Sequence, residues 1–223
     1  MKIGICGLAG DGKDTFAILL KEEFAKRGVY FEIDRYAGLL KEAARQVFGE
    51  DFDNREVKEE KVFVTPELAD KMIDATDYVQ LKLGLNAEQF EIWNDLCCQH
   101  IDTLTWVSPR SFQQILGTEV GRTFDPDIWV NYLKNKSGNL IIPDVRFRNE
   151  GVDRSILIIR NPLPKGKIHP SEQYAVSLRL EEYPELLVDH IVMNRTTIED
   201  LRKEASFIVN IMLIQAKAAG VEL

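Results

Sequence analysis

Seven residues near the N-terminus carry the strongest chemical signal in the chain. Gly7-Leu8-Ala9-Gly10-Asp11-Gly12-Lys13 has the spacing G-x-x-x-x-G-K. Glycines so spaced let backbone N–H groups curl around phosphate oxygens, and a helix opening behind them adds its positive end. Lys13 is then placed to reach the terminal phosphates of a nucleoside triphosphate. The next position, where a Ser or Thr hydroxyl usually ligates Mg2+, is Asp14, with Thr15 behind it. A carboxylate is also a hard oxygen ligand and suits a helix N-terminus. Without a metal, however, it would face the triphosphate like charge to like charge. Two roles are open to Asp14: holding Mg2+, which the charge argument favours, or turning away to cap the helix.

Phosphoryl transfer between two anions requires cations to gather and neutralise them. Arg110 lies at a helix start and Arg122 at the far end of the same segment. Arg146 and Arg148 follow a strand that ends at Asp144, and Arg160 follows the strand SILII. Open α/β sheets bind ligands at the C-terminal ends of their strands, which turns Arg146 and Arg160 toward function. Asp144 stands where a second carboxylate would help to hold Mg2+; as a plain structural residue it would cap a helix. The three histidines form no nucleophile or base dyad, and this chemistry depends on positioning and electrostatics more than on a base.

The elements that must position these groups follow from periodicity. Met1–Cys6 (MKIGIC) predicts a buried strand. Lys13–Arg27 carries Phe16, Leu19, Leu20 and Phe24 at helical spacing, and Gly28 closes it. Val29–Ile33 predicts a second strand and Leu39–Phe48 a helix ended by Gly49. From Glu50 to Trp106 the chain is charged and irregular, with helical stretches at 66–83 and 87–100, which predicts a helical insertion on one core. Pro109 opens another helix, and Asp125-Pro126 restarts helix toward Trp129 and Leu133. Trp129 is expected in the core. Strands follow at Asn139–Ile142, Ser155–Ile159 and Leu187–Met193, then a C-terminal helix from Thr196. Asn161–Lys167 reads as the most mobile loop. Short apolar strands alternating with helices predict an α/β fold, a parallel sheet with helices on both faces.

Composition narrows the setting. With 223 residues, 45% of them apolar and 29% charged, the chain suits a single globular domain, 1–223, that needs no disulfide or metal staple. The net charge of −8 argues against a nucleic-acid-binding surface, which needs clustered Lys and Arg. No apolar run reaches membrane length, and the strand at the very start leaves no room for a signal peptide. Three cysteines, Cys6 and the pair Cys97-Cys98, make no disulfide framework and predict a reducing cytoplasm. Cys97-Cys98-Gln99-His100 lacks a second cluster to complete a metal site, so buried thiols on a helix are expected.

Several segments resemble the deoxynucleoside monophosphate kinases of tailed phages, a branch of the P-loop nucleoside monophosphate kinase group. They are GDGKDT (Gly10–Thr15), YAGLLKEA (Tyr36–Ala43), RSFQQILGTEVGR (Arg110–Arg122) followed by DIWV, PDVRFRNE (Pro143–Glu150), HPSE (His169–Glu172) and DHIVMN (Asp189–Asn194). They run in the family's order over most of the chain. The region 50–106 resembles it loosely, around Asn54-Arg55 and Lys58-Glu59. Aspartate after the loop lysine is normal in that family. The resemblance implies a three-layer P-loop kinase fold, ATP and Mg2+ at Gly10, Asp11, Gly12, Lys13, Asp14 and Thr15, and Asn194 near the adenine. It implies an acceptor pocket from Lys41, Arg110, Gln114, Arg122, Asp144, Arg146 and Glu150. It also implies a lid over the phosphates near Arg160–Glu172, within a loop region of about 161–184, a homodimer, and the host cytoplasm if the chain is phage-encoded.

Two other function classes remain open from sequence. Animal-type phosphomevalonate kinases share a GKD loop and a D-x-R motif after a strand, although the long RSFQQILGTEVGR stretch favours the nucleotide reading. A non-catalytic nucleotide switch is the other. A GTPase would need N-K-x-D, and Asn135-Lys136-Ser137-Gly138 lacks the Asp.

Overall fold

Ile3, Ile5 and Cys6 give β1 (Lys2–Cys6) no polar face, and it lies in the middle of a five-stranded sheet. The computed structural model describes residues 1–54, 56–146, 150–163 and 172–221. The sheet belongs to one of two compact units, Met1–Tyr36 together with Lys136–Leu223; Ala37–Asn135 form the other. Beside β1 stand β5 (Leu140–Ile142) and β6 (Arg154–Ile159), with β2 (Glu32–Ile33) and β7 (His190–Met193) outermost. All four pairings are parallel. The chain leaves β1 for the β2 edge, returns to β5, then passes β1 to reach β6. The connections leaving β1 and β5 therefore run to opposite sides, and that reversal is where an open α/β sheet forms a ligand crevice.

One face of the sheet packs Ile3, Ile5, Ile141, Ile156, Ile158 and Val192 against α1 (Lys13–Ala25) and α8 (Ile198–Ala218). Phe16, Leu20 and Phe24 come from α1, and Ala205, Val209 and Met212 from α8. On the other face Gly4 is required by close approach, since a Cβ there would stand 2.7 Å from Val145 and 2.9 Å from Val152. The expected second strand shortens to two residues because Val29 N–H closes onto the Phe24 carbonyl at 3.1 Å, finishing α1. The last strand likewise starts only at His190, since Pro184–Leu186 form a 3-10 turn whose Pro184 carbonyl accepts from Leu187 N–H. A helix not foreseen in the sequence, α7 (Gln173–Leu180), occupies part of the region read as a loop.

The second unit is helical, with its own core of Leu39, Val47, Met72, Val79, Trp93, Phe112 and Leu116 among others. It contains α2 (Gly38–Phe48), α3 (Pro66–Leu83), α4 (Ala87–His100), α5 (Pro109–Gln114) and α6 (Ile128–Asn135). The 50–106 stretch thus lies inside a larger unit. Starts are well marked: Thr65 Oγ1 accepts Leu68 N–H at 3.2 Å, and Asn86 with Gln89 and Ser108 with Ser111 form reciprocal caps. After α5 the backbone widens into a π-helical segment, Ile115–Arg122. There Trp129 Nε1–H donates to the Gly117 carbonyl at 2.9 Å, a side-chain intrusion of the kind that widens a helix. Trp129 is buried in this core, as its sequence context suggested. A short antiparallel pair, β3 (Val62–Phe63) with β4 (Trp106–Val107), was not foreseen. Among the described residues no helix is long and apolar enough to cross a membrane.

Phe16 is fully buried between α1 and the sheet. Phe16→Ala is expected to cost about 3–5 kcal/mol, read as a lower urea midpoint. A loss below about 1 kcal/mol would mean that this core collapses around the gap.

Candidate active site

The turn from β1 into α1 is shaped by two glycines with left-handed backbone, Gly10 (φ 79°) and Gly12 (φ 95°). Gly12 also lacks room for a side chain, because a Cβ would lie 2.5 Å from Asn194 Nδ2. Gly12 itself is the N-cap of α1, and no side chain caps the helix. The first helical bond runs from Phe16 N–H to the Gly12 carbonyl at 2.9 Å. The N–H groups of Lys13, Asp14 and Thr15 therefore have no acceptor among the described residues. Lys13 arches back over the loop, its Nζ donating to the Gly7 and Leu8 carbonyls, each at 2.9 Å. Burial lowers the Lys13 pKa from its ordinary value, against the pull of nearby Asp11.

Asp11 holds this loop from below. Its Oδ2 accepts Leu8 N–H at 2.8 Å and pairs with Arg179 Nη2 at 3.0 Å; its Oδ1 accepts Asn161 N–H at 2.9 Å and Arg160 N–H at 3.2 Å. Asp11 is wholly buried and the Arg179 side chain only 5% exposed. Expected among the ATP-binding residues, Asp11 has its carboxylate turned into the protein. Asn194, expected near the adenine, donates Nδ2–H to the Asp11 carbonyl at 2.8 Å. Asn161 Nδ2–H reaches the Ala9 carbonyl at 3.3 Å, and Glu172 Oε1 accepts Ala9 N–H at 2.9 Å. The exposed Arg160 guanidinium has no hydrogen bond or ion pair to a described residue. Of the expected lid, Glu172 and α7 are described; residues 164–171, His169 included, and Arg148 lie outside the described residues.

Asp14 does not cap α1: it sits inside the first turn, and its carboxylate pairs with Arg35, which follows β2. That overturns the capping alternative and introduces an arginine the sequence reading passed over; Asp34-Arg35 at a strand end was the available signal. At the end of β5, buried Asp144 accepts Tyr36 N–H at 3.2 Å, and buried Glu150 accepts Arg146 N–H at 2.6 Å. Burial, then the Glu150 and Asp144 carboxylates, push the Tyr36 phenol pKa well up. The exposed Arg146 lies close enough to add to the lowering of the Lys13 pKa. The C-terminal ends of β1, β2 and β5 thus gather Lys13, Asp14, Arg35, Tyr36, Asp144, Arg146 and Glu150.

The remaining acceptor-side residues belong to the helical unit. Lys41 pairs with Asp53 at 2.6 Å and Arg110 with Glu59 at 3.1 Å. Gln114 is exposed at the end of α5, and Arg122 ends the π-helical segment, half-buried. On α4, Cys97 is buried and its thiol pKa pushed up to about 12, chiefly by desolvation, while Cys98 is exposed, contrary to expectation. Among the described residues no three His, Cys, Asp or Glu side chains are grouped to hold a metal.

No family model matches the chain, and no curated protein matches it. Among solved structures it is similar to a dephospho-CoA kinase from Campylobacter jejuni, 13% identical over 94% of this chain and 95% of that one, with a TM-score of 0.37. A likeness that slight adds nothing to what the loop and the strand order say by themselves.

Asp11→Asn keeps the shape of the side chain but leaves the Arg179 guanidinium buried without a counter-charge. The variant should lose about 3 kcal/mol of stability in urea unfolding, and adding Arg179→Met should recover most of that loss. An unchanged midpoint for the single variant would mean that Arg179 finds another anion.

Proposed function

We propose that the chain is a phosphotransferase that binds ATP at Gly7–Thr15 and transfers its γ-phosphoryl group to a deoxynucleoside monophosphate. The observation that carries the ATP site is the open start of α1. Its first amides have no acceptor among the described residues, two left-handed glycines aim the loop, and a lysine is folded over it. A polyphosphate is the ligand such a cradle suits, through backbone N–H groups and the helix dipole.

The residues present also fit Mg2+, which is held by one or two carboxylates together with substrate phosphates. Asp144 supplies a hard oxygen donor near the loop, Asp14 would supply a second where the metal displaced Arg35 from it, and the metal would neutralise phosphate charge. Lys13 exchanges the Gly7 and Leu8 carbonyls for the terminal phosphate oxygens. Arg146 and Arg160, both exposed at strand ends, meet the charge that develops on the transferred group. Glu150, bonded to Arg146 N–H, fixes the backbone from which Arg146 projects.

The choice of acceptor rests on the resemblance of Arg110–Arg122 and Pro143–Glu150 to phage deoxynucleoside monophosphate kinases. In this reading Arg110 and Arg122 grip the acceptor's phosphate, with Lys41, Gln114 and Asp144 completing the pocket. The Glu172 bond to Ala9 N–H supports a role for Glu172, at the start of α7, in holding the loop. The same resemblance carries a homodimer and a cytoplasmic setting.

A coupled ADP-release assay over NMPs, dNMPs and phosphomevalonate tests the reading. Turnover with dNMPs is expected, and Lys13→Met should lower it by about 10²–10³-fold without unfolding the chain. Turnover only with phosphomevalonate would reassign the acceptor, and ATP binding without turnover on any acceptor would leave a nucleotide switch.

The arginines should separate kinetically. Arg110→Ala and Arg122→Ala should raise KM for the acceptor, whereas Arg160→Ala should lower kcat. If all three altered only the KM for ATP, the acceptor pocket would lie elsewhere.

A further inference from the structure

A carboxylate directly after the loop lysine poses an electrostatic problem that the structure answers with a residue far away in sequence. Asp14 is on the first turn of α1, beside the open amides of Lys13, Asp14 and Thr15, and its side chain is 69% exposed. Lys13 does not pair with it, since Nζ is occupied by the Gly7 and Leu8 carbonyls. The cation that does pair with it is Arg35, whose side chain is 36% exposed.

The segment that carries Arg35 is fixed on both sides. Asp34 N–H donates to the Ile141 carbonyl at 3.0 Å, and Asp34 Oδ2 pairs with Lys136 Nζ at 2.7 Å. Arg35 N–H donates to Asp34 Oδ1 at 2.7 Å. On the other side Tyr36 N–H is held by Asp144. The guanidinium is therefore delivered from an anchored backbone at the β2 and β5 ends to the mouth of the loop. An ordinary exposed ion pair contributes little to stability, so the reason for this placement lies in the charge that a ligand would meet.

We infer that Arg35 is a positioning residue of the phosphate loop: it neutralises Asp14 and turns its carboxylate aside, so that a polyphosphate meets the charge balance of a loop with a hydroxyl at that position. The inference rests on the reading of Gly7–Thr15 as the ATP site. It makes Arg35 act through Asp14, not by touching phosphate, and it makes the effect greatest when no metal shields the phosphates.

Binding of ATP to the full chain, measured by titration calorimetry in EDTA and again in excess Mg2+, reads this directly. Arg35→Ala should weaken metal-free ATP binding on the order of tenfold, and less in Mg2+. Arg35→Lys, which keeps the charge, should stay within about threefold of the wild type. Asp14→Ser combined with Arg35→Ala should return metal-free affinity to within about threefold of the wild type. Thermal unfolding checks each protein, and Arg35→Gln completes the same cycle if Arg35→Ala does not fold. Wild-type affinity for Arg35→Ala in EDTA would overturn the inference. So would a double variant as weak as Arg35→Ala, which would mean that Arg35 touches phosphate itself. A wild type that binds no ATP in either buffer would instead bring down the phosphate-loop reading, and the inference with it.

Discussion

The buried carboxylate of Asp11 is the constraint on which the site depends. The first-turn amides of α1 that are to meet a ligand cannot also hold the loop in shape, so that shape is imposed through other atoms, the Leu8 and Ala9 N–H groups among them. Asp11 does this by accepting from Leu8, Arg160 and Asn161 N–H and from the Arg179 guanidinium. These donors come from the loop, the end of β6 and α7. Ordering a backbone costs about 1–2 kcal/mol per residue, and here much of that ordering is complete before a ligand arrives. A buried carboxylate is costly unless paired and hydrogen-bonded, and both conditions are met. The outward-facing amides at the start of α1 are left for something else.

The same economy governs charge. The chain carries a net −8, so long-range attraction of a polyanion is unfavourable, and screening confines charge effects to about 8–10 Å. Affinity for phosphate must then come from cations placed individually. Parallel strands do this because their C-terminal ends lie side by side: Arg35 follows β2, Arg146 follows β5 and Arg160 follows β6, flanking the loop that follows β1. Carboxylates from the same strand ends hold this ground in order. Asp34 fixes Lys136, Asp144 fixes Tyr36 N–H, and Glu150 fixes Arg146 N–H. The last of those bonds holds the Arg146 backbone and leaves its side chain exposed.

Features that depend on neighbours in sequence were legible. The phosphate loop is one run of residues, helices α1, α3, α4 and α8 show as stretches of helical pattern, and the apolar strands β1, β5 and β6 have turn residues beside them. What stayed hidden depends on distant pairs or on very short elements. Arg179 lies far along the chain from Asp11, and nothing in SLRLEEYP marks an arginine aimed at a loop. Strands of two residues, β3 and β4, have no period to read. The π-helical segment contains two glycines, Gly117 and Gly121, but their meaning comes from Leu40 and Trp129 packing where a Cβ would be. Helix α7 was obscured because its eight residues follow a stretch rich in Pro, Gly and Lys.

Asp14 shows how a local departure is resolved at a distance. Judged by its neighbours alone, an acid after the loop lysine looks like a defect in an anion site. The helix dipole favours a carboxylate in a first turn, so folding of α1 tolerates it, whereas a bound polyphosphate would not. The opposition between helix and ligand disappears once a cation reaches Asp14 from another strand. The route is short in space because β2 and β1 flank β5 in one parallel sheet, and it is long in sequence because right-handed crossovers separate such strands. The G-x-x-x-x-G-K-D sequence and the Asp34-Arg35 pair therefore form one unit of electrostatic design, in which changing position 14 alone or position 35 alone leaves a charge without its counterpart.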